Sequence, residues 1–381
     1  MLRNADIVEL VALRRALHRR PEVSGAEVET ARTIAAALSE LAPSRLVRGL
    51  GGHGVAAVFD SGAPGPTVMF RAELDALPIP ERPHVAWVSE IAGVSHVCGH
   101  DGHMAMLMGL GRLIAQRPVA RGRVVLMFQP AEETGEGARA VTRDPGFAAL
   151  APDYAFAIHG LPGLPFGTVG MRPGLMNCAS VGVKIRLLGK TAHAAEPEAG
   201  RSPMRALASL VPRLEALGPG GALDGDFRLV TLTHLGVGEP TFGIAPGEGV
   251  LHATLRAARD ESLAALEDEL RAQVGEAAQA AGLEVEISEH DRFAASINDP
   301  EATAIARAAM EALGMIHHAQ GVPMRASEDF GLFGRTAKAA MLCLGVGEEA
   351  PALHNPDYDF PDDLIPLGAH LFERIARDLL G

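Results

Sequence analysis

The stretch SHVCGHDGH (Ser95–His103) places three histidines, one cysteine and one aspartate within nine residues, the densest run of metal-binding side chains in the sequence. Cys98 and His100 lie two residues apart, and their thiolate and imidazole can reach one metal ion only if the backbone between them is compact. Gly99 supplies the conformational freedom for such a backbone. The motif predicts a metal site, and we expect the rest of the chain to bring further ligands and a catalytic carboxylate to it.

Length and charge limit the classes of protein to consider. The 381 residues are too many for one compact core and predict two or three domains. The net charge of −13 argues against nucleic acid or an anionic membrane as partner, because both would repel the chain. No apolar run approaches the roughly 20 residues of a membrane helix. Charges also interrupt the N-terminal segment, so we expect no signal peptide and a cytoplasmic location.

The cysteines do not suggest a disulfide framework. Cys98, Cys178 and Cys343 are odd in number and widely separated. We expect Cys98 to be a metal ligand and the other two to be small buried residues.

Apolar segments of strand length alternate with segments of helical spacing, which predicts an α/β fold. Helical spacing is found in Ala5–Arg19, Glu27–Leu41 and Met104–Gln116. The strand-like runs are continuously apolar, as in a largely buried parallel or mixed sheet. The predicted strands are Gly54–Phe59, Thr67–Arg71, Val124–Phe128, Tyr154–Ile158 and Ala340–Leu344.

Residues 175–290 differ in character from the rest of the chain. Apolar and polar residues alternate in Cys178–Leu188, as in a strand with one solvent-exposed face. The elements predicted after it are a helix at Pro203–Leu217, strands near Arg228–Leu235 and Val250–Ala257, a helix at Glu261–Ala281 and a strand at Leu283–Glu289. This β-α-β-β-α-β order is the ferredoxin-like arrangement. We predict that residues 175–290 form a domain inserted into a first domain made of residues 1–174 and 291–381.

Polar side chains follow the predicted strands of the first domain. Glu132 and Glu133 come after the third strand, His159 follows the fourth, and His354 comes one loop after the fifth. In open α/β sheets, ligands bind beyond the carboxyl ends of the strands. We therefore expect these side chains to lie near the cysteine-histidine motif.

One thiolate, three imidazoles and a carboxylate exceed the needs of one tetrahedral site and favour two metal ions that share a bridge. The donor types suit zinc, manganese, cobalt or nickel alike. Successive side chains cannot easily point the same way, so one of Glu132 and Glu133 is expected to bind metal while the other stays free. The free carboxylate would act as general base toward a metal-activated water and pass the proton to the departing nitrogen.

Five motifs, in order along the chain, resemble those of the aminoacylase and carboxypeptidase-like amidohydrolases of the M-twenty metallopeptidase family. They are SHVCGHDGH, FQPAEETGEGA (Phe128–Ala138), AIHG (Ala157–Gly160), RASEDFG (Arg325–Gly331) and ALHNPDYDF (Ala352–Phe360). RRALHRRPEVSGAE (Arg14–Glu27) and FRAELDALPI (Phe70–Ile79) extend the resemblance over nearly the whole chain. The branch with cysteine in the metal motif, which includes hippurate hydrolases and auxin-conjugate amidohydrolases, is the most similar.

The resemblance implies an α/β catalytic domain with a mixed sheet and a dinuclear metal centre, and an inserted ferredoxin-like α+β dimerisation or lid domain. It implies two divalent metal ions per subunit, manganese or zinc, with cobalt and nickel as alternatives. The implied ligands are Cys98, His100, Glu133, His159 and His354. Glu132 is then the general base.

The partition that we adopt makes Cys98 the bridge between the two metals. Glu133 and His354 complete one site, and the other two histidines complete the second. Asp75 and Asp101 are candidates to support the ligating histidines, which usually donate their second ring N–H to a carboxylate or carbonyl.

By the same resemblance, the inserted domain dimerises, and one of its histidines helps to polarise the scissile carbonyl, often in the partner subunit's site. In this chain that residue is His193, and Arg256 matches an arginine that holds the substrate carboxylate. Three positions depart from the family pattern. Gly243 replaces the usual asparagine, Ser202 replaces an aspartate before proline, and Lys190–Ala192 replace a glycine-rich turn. The first departure leaves the identity of the leaving amine open.

The sequence therefore predicts a metal-dependent amidohydrolase that cleaves N-acyl amino acids or related small N-acylated amines. The alternatives are a dipeptidase or carboxypeptidase of the same fold, and a catalytically silent relative that binds a metabolite. We expect a homodimer or homotetramer. His96 and His103 are expected to be structural, and Glu328 with Asp329 to start a helix beside the site.

Overall fold

The computed structural model describes residues 1–82 and 85–381 of the chain. These residues form two compact units. The first contains Met1–Met176, Ser296–Pro323 and Glu328–Gly381, and the second contains Asn177–Ala295 and Met324–Ser327. The second unit is thus built mainly from one continuous segment in the middle of the chain.

The helices are labelled in chain order. They are α1 (Asn4–Arg19), α2 (Val28–Glu40), α3 (His100–Gln116), α4 (Gly137–Arg143), α5 (Met204–Leu217), α6 (Asp260–Ala281), α7 (Pro300–Ala312) and α8 (Leu364–Leu380). Within the two described ranges, no helix combines the length and the apolar character needed to cross a lipid bilayer.

The strands are labelled in the same way. They are β1 (Arg45–Leu50), β2 (Gly54–Asp60), β3 (Thr67–Glu73), β4 (Arg123–Gln129), β5 (Tyr154–Pro162), β6 (Val169–Gly170), β7 (Gly174–Asn177), β8 (Ala179–Leu188), β9 (Ala192–His193), β10 (Arg228–Val237), β11 (Ile244–Ala245), β12 (Glu248–Ala257), β13 (Glu284–Phe293), β14 (Ser296–Asn298), β15 (His317–His318) and β16 (Lys338–Gly347).

The first unit is organised around a mixed eight-stranded sheet with the order β1-β2-β4-β3-β5-β16-β6-β15. Its central strands β4, β3, β5 and β16 run parallel, whereas β1 and β2 pair antiparallel at one side. The prediction of an α/β fold with a mixed sheet is confirmed. Because the central strands are parallel, their carboxyl ends lie together at one edge of the sheet.

Strand β3 separates the apolar core from a buried polar layer. On one face Phe70 packs against Phe156 and Phe372, with ring centroids 5.8 and 5.0 Å away. Arg71 and Glu73 alternate with these apolar positions, so they point to the opposite face, where both are buried. Two charged side chains therefore lie in the interior toward the carboxyl end of the strand.

Two element boundaries differ from the prediction near the metal motif. Helix α3 begins at His100 rather than Met104, because Gly99 precedes it with a left-handed φ of 88° and its carbonyl accepts the first helical N–H groups. Strand β5 continues past His159, which pairs with Cys343 of β16. The polar residues of the motif interrupt the apolar periodicity from which the start of α3 was predicted. Strand β5 continues beyond its apolar run, through the polar residue His159.

The second unit contains an antiparallel sheet with the order β10-β12-β8-β13. Helices α5 and α6 pack on it. On β8 the buried residues Val181, Val183, Ile185 and Leu187 alternate with partly exposed ones. The chain order β8-α5-β10-β12-α6-β13 is the β-α-β-β-α-β order expected for a ferredoxin-like unit.

Replacing Gly102 by alanine should destabilise the first unit by about 1–3 kcal/mol. The added Cβ would lie 2.2 Å from Cδ1 of Phe360, whose ring is fully buried and has little room to move. The matched change Gly275→Ala on α6 meets open space and should stabilise its unit by about 0.5–1 kcal/mol. Calorimetric unfolding of the metal-free protein measures both changes. An unaltered transition in Gly102→Ala would contradict this packing.

Candidate metal centre

Cys98, His100 and His159 form one group of potential metal ligands. One donor atom from each side chain lies within 4.8 Å of the others. Cys98 Sγ is 3.4 Å from His159 Nε2. Cys98 comes from the loop before α3, His100 from the first turn of that helix and His159 from β5.

Cys98 also belongs to a second group, which it forms with Glu133 and His354. Glu133 Oε2 is 3.7 Å from His354 Nε2, and its Oε1 is 3.8 Å from His100 Nε2. The fold therefore brings all five predicted ligands together and places the thiol of Cys98 in both groups. This is the arrangement expected if Cys98 bridges two ions.

Backbone geometry at three loop residues positions these side chains. Gly99 has a positive φ, and a Cβ there would lie 3.0 Å from Tyr358 Oη. His354 has a φ of 66°, in the left-handed region that non-glycine residues rarely adopt, and its N–H donates to the carbonyl of Val97. Ala131, just before the paired glutamates, has a φ of 50°. Such conformations are held by their surroundings and cluster at functional sites.

The orientation of the rings fits a metal ligand set. His100 Nδ1 donates to the main-chain carbonyl of Asp75 at 2.9 Å, and His159 Nδ1 donates to that of Gly160 at 2.8 Å. The Nε2 atoms are thereby directed into the site. Among the described residues, His100 Nε2 and Glu133 Oε1 are buried without a hydrogen-bond partner. Buried polar atoms left without partners are unfavourable, and an ion at this position would engage both.

The spacing of the donor atoms is also compatible with cations. Ligand atoms that surround one ion tetrahedrally at ~2.0–2.3 Å lie roughly 3.3–3.8 Å from one another. The pairs Cys98–His159, His100–Glu133 and Glu133–His354 are separated by 3.4, 3.8 and 3.7 Å. The residues present therefore fit the divalent metals implied by the donor types.

Asp75 and Asp101 support the site in different ways. Besides its carbonyl contact with His100, Asp75 accepts hydrogen bonds through Oδ2 from the hydroxyl of Ser24 and the backbone N–H of Glu133. Asp101 instead lies 2.7 Å from Arg14 Nε and 2.8 Å from His18 Nδ1. Asp75 thus touches two predicted ligands directly, whereas Asp101 anchors the first turn of α3 to helix α1.

Burial and neighbouring charges set different protonation states in the metal-free site. Burial raises the pKa of the Cys98 thiol well above its ordinary value. Burial opposes the charge of His100, but its carboxylate neighbours, Asp75 first among them, outweigh this effect and raise the pKa of His100 to about 10. Burial raises the pKa of Glu133 to about 7 and lowers that of His159 to about 3. His159 is therefore already a neutral ligand over the ordinary pH range, and burial also lowers the pKa of His354 and favours its neutral form.

Glu132 lies in a cluster of buried carboxylates behind the ligand groups. One oxygen from each of Glu132, Glu328 and Asp329 lies within 4.8 Å of the others. Arg71 Nη2 is 2.9 Å from Glu328 Oε1 and 2.7 Å from Asp329 Oδ1. Burial, followed by repulsion from Glu328 and Glu133, raises the pKa of Glu132 well above its ordinary value. The cluster increases the affinity of Glu132 for a proton.

Glu132 and Glu133 are not distinguished by their distances from the predicted ligand His100. Glu132 Oε2 lies 3.9 Å from His100 Nε2, a distance close to that of Glu133. The two glutamates differ in their other neighbours. Glu133 faces His354, whereas Glu132 faces the carboxylates of residues 328 and 329.

His103 and His96 are both buried beside the motif. His103 Nδ1 lies 2.7 Å from Glu73 Oε2, and its Nε2 accepts the N–H of Gly160 at 2.9 Å. Both nitrogens of His103 are thus occupied, as expected for a structural residue. Neither ring nitrogen of His96 has a hydrogen-bond partner among the described residues, and burial lowers the pKa of His96 to about 3.

Sequence reasoning assigned no role to Arg71, Glu73 or Arg14. Arg71 and Glu73 did carry a signal, because two charged residues at the end of a continuously apolar strand must find partners when they are buried. Arg14 carries no comparable signal, since basic residues are common on exposed helix faces.

His193 and Arg256 belong to the second unit. His193 is exposed in the short strand β9, opposite Ile244 of β11. Arg256 is partly buried on β12, and its Nη1 donates to Ser327 Oγ at 2.6 Å and to the carbonyl of Arg325 at 3.0 Å.

Filling the metal centre at pH 6 should release about three protons, because Cys98, His100 and Glu133 must all be deprotonated to bind. At pH 8 the release should fall to about two, since Glu133, with a pKa of about 7, has by then lost its proton. Calorimetric metal titrations in buffers of different ionisation enthalpy measure this number. Glu133→Gln should remove the difference between the two pH values. A proton release independent of pH in the unmodified protein would contradict the assignment.

Comparison with known proteins gives a consistent result. The family model described as Peptidase family M20/M25/M40 matches residues 69–378. The hippurate hydrolase of Campylobacter jejuni subsp. jejuni is 29% identical over 380 residues, which cover 98% of this chain and 97% of the relative. The N-acetyl-L-cysteine deacetylase of Bacillus subtilis is 28% identical over 377 residues, covering 98% of this chain and 88% of the relative.

A solved structure shares the fold over its whole length. A Bacillus subtilis protein, described as a dinuclear metal binding peptidase from the M20 family, superposes with a TM-score of 0.83 and 26% sequence identity. The match covers 99% of this chain and 99% of that chain. The chain belongs to the peptidase family M20/M25/M40.

Proposed function

We propose that the protein is a metal-dependent amidohydrolase that releases the amine from N-acyl amino acids or related N-acylated amines. The observation that carries this proposal is the sharing of Cys98 between two ligand groups, with the buried carboxylate of Glu132 beside them. The hippurate hydrolase and the N-acetyl-L-cysteine deacetylase to which the chain is similar support this class of substrate.

The five ligands would hold two divalent cations, with Cys98 as the shared ligand, Glu133 and His354 on one ion, and His100 and His159 on the other. When bound, the cations act as Lewis acids that lower the pKa of water and polarise the amide carbonyl. Manganese or zinc is our choice of metal, and cobalt and nickel have compatible chemistry. The dinuclear description of the structural neighbour from Bacillus subtilis supports the number of ions.

Glu132 would perform the proton transfers. Its carboxylate accepts a proton from the attacking water, and the water oxygen forms the new bond to the acyl carbon. The same carboxyl group then gives the proton to the amide nitrogen as the carbon–nitrogen bond breaks. The neighbouring carboxylates of Glu328 and Asp329 favour the protonated form of Glu132, which suits a group that must take up a proton and hold it between the two steps.

The second unit would supply substrate-binding residues and the contact between subunits. His193 would polarise the scissile carbonyl, and Arg256 would bind the carboxylate of the amine part through its guanidinium. We assign catalysis to the unit that contains the metal ligands and dimerisation to the inserted unit. A homodimer is the expected assembly, with a homotetramer as the alternative, and the cytoplasmic location stays a prediction.

Replacing Glu132 by alanine should lower kcat by roughly 10²–10⁴-fold while leaving the metal content unchanged, because the base is lost but the ligands remain. Hydrolysis rates and metal analysis of the purified variant measure the two quantities. The matched control is Glu136→Ala, an exposed glutamate four residues along, which should keep normal activity. Full activity in Glu132→Ala would show that another group is the base.

Metal-stripped protein resupplied with manganese, zinc, cobalt or nickel should release free amine from N-acetyl and N-benzoyl amino acids. Without metal it should release none, since no Lewis acid is then present. Amine detection over a panel of N-acyl amino acids and free-amine dipeptides measures the preference. Cleavage of the dipeptides alone would identify a dipeptidase. Metal binding without cleavage of any substrate would favour the silent relative.

A further inference from the structure

The guanidinium group of Arg256 uses only part of its hydrogen-bonding capacity within the protein. Its Nη1 is held by Ser327 Oγ and the carbonyl of Arg325. Within the described residues, its Nε and Nη2 have no acceptor, and no carboxylate forms an ion pair with it. One side of the planar fork is therefore fixed by the protein, and the other side has the geometry that binds a carboxylate in a bidentate manner.

Arg256 has no acidic partner among the described residues although it lies in partly buried surroundings. The residue is only partly exposed on β12, and burial lowers its pKa. Ser327, which holds it, also shares a hydrogen bond of 2.6 Å with the buried Ser180 on β8. Charged groups removed from water are normally paired. A fixed, partly buried arginine without a counter-charge indicates an anionic ligand.

A second arginine, Arg325, is hydrogen-bonded to Arg256 through its main-chain carbonyl. Arg325 provides the carbonyl that holds Arg256, and its own Nη2 donates to the carbonyl of Gly221 at 2.6 Å. Its guanidinium carbon also lies 5.2 Å from the ring centre of Phe227. These contacts restrain an otherwise exposed side chain. Like Arg256, Arg325 has no carboxylate partner in the described parts of the chain.

Both guanidinium groups influence the pKa of the same residue, Cys178. Burial raises the pKa of the Cys178 thiol to about 11, and the positive charges of Arg256 and Arg325 oppose this rise. Both cations are therefore close enough to one buried sulfur to influence it electrostatically. Two such cations without acidic partners form a local positive field suited to a ligand with two negative charges.

We propose that Arg256 and Arg325 together recognise an amine part that carries two carboxylates, so that the preferred substrates are N-acylated dicarboxylic amino acids such as N-acyl-aspartate and N-acyl-glutamate. This inference rests on the proposed function, in which Arg256 binds the α-carboxylate. Arg325 then pairs with the side-chain carboxylate. Gly243 replaces the asparagine usual in the family, and this departure leaves the identity of the amine part open.

The test compares N-acetyl-L-glutamate with N-acetyl-L-glutamine, an isostere that keeps the α-carboxylate but has a neutral side chain, on the metal-loaded enzyme. We expect kcat/KM to favour the glutamate compound by about tenfold or more, as for a hydrogen bond between charged groups. Arg325→Gln should abolish this preference by lowering kcat/KM for the glutamate compound to the value for the glutamine compound. Arg205→Gln, a change at an exposed arginine of α5, is the matched control and should keep the preference.

A binding measurement separates this inference from the proposed function. The Glu132→Gln variant, loaded with metal, is titrated calorimetrically with N-acetyl-L-glutamate and N-acetyl-L-glutamine. Tighter binding of the glutamate compound that is lost with Arg325→Gln would support the two-arginine site even if the unmodified protein hydrolysed neither compound, and only the proposed function would then fail. Equal affinity for both compounds, or an equal loss for both in Arg325→Gln, would overturn the inference.

Discussion

The buried guanidinium of Arg71 is the interaction on which the first unit most depends. It contacts Glu73 on its own strand, the side-chain amide oxygen at the end of β4, and the carboxylates of Glu328 and Asp329. Losing one partner of such a buried ion pair costs ~3–5 kcal/mol. These contacts form only when β3, β4 and the turn at residues 328–329 are all in place. Formation of these contacts also brings the carboxylates of Glu328 and Asp329 next to Glu132. Folding of the first unit therefore also creates the surroundings of the proposed base.

A second buried cation joins the segments that carry metal ligands. Arg14 of α1 lies beside Asp101, which follows His100 in α3, and also contacts Asp359 in the segment after His354. Helix α1 therefore holds together two parts of the site that are distant in sequence. Glycine at the start of α3 and a left-handed backbone at His354 complete this arrangement, because both allow the chain to turn sharply toward the centre.

The charges around the site suggest why cations would be accommodated there. Glu73, Glu132, Glu133, Glu328 and Asp329 are gathered within a small region, and Arg71 is the arginine paired with several of them. Burial, followed by repulsion from neighbouring carboxylates, raises the pKa values of Glu132, Glu133 and Asp329. In the proposed function, two divalent ions at the Cys98 groups offset the negative charge of this region. Metal binding would then stabilise the folded unit as well as supply the chemistry.

Several features of this protein could be predicted from its sequence because they depend on short-range patterns. Spacing within SHVCGHDGH indicated a metal motif, continuous apolar runs indicated the buried strands, and alternation along β8 indicated a sheet with one open face. Edge strand β1, with its mixed charged and apolar residues, was missed because it lacks either pattern. The residue types themselves indicated one thiolate, three imidazoles and one carboxylate as ligands. The motif resemblance added the expectation of which glutamate is the ligand and which is the base.

Only the tertiary structure decided how these residues meet. Local sequence does not specify that the thiol of Cys98 faces both His159 and Glu133, that Arg14 and Arg71 are buried, or that Arg256 is held by the carbonyl of Arg325. A charged side chain can be buried only where distant segments supply its partners, so its position is a property of the assembled fold. Sequence determined which chemical groups are available, and packing determined which of them share a site, because burial and pairing are set by contacts between residues far apart along the chain.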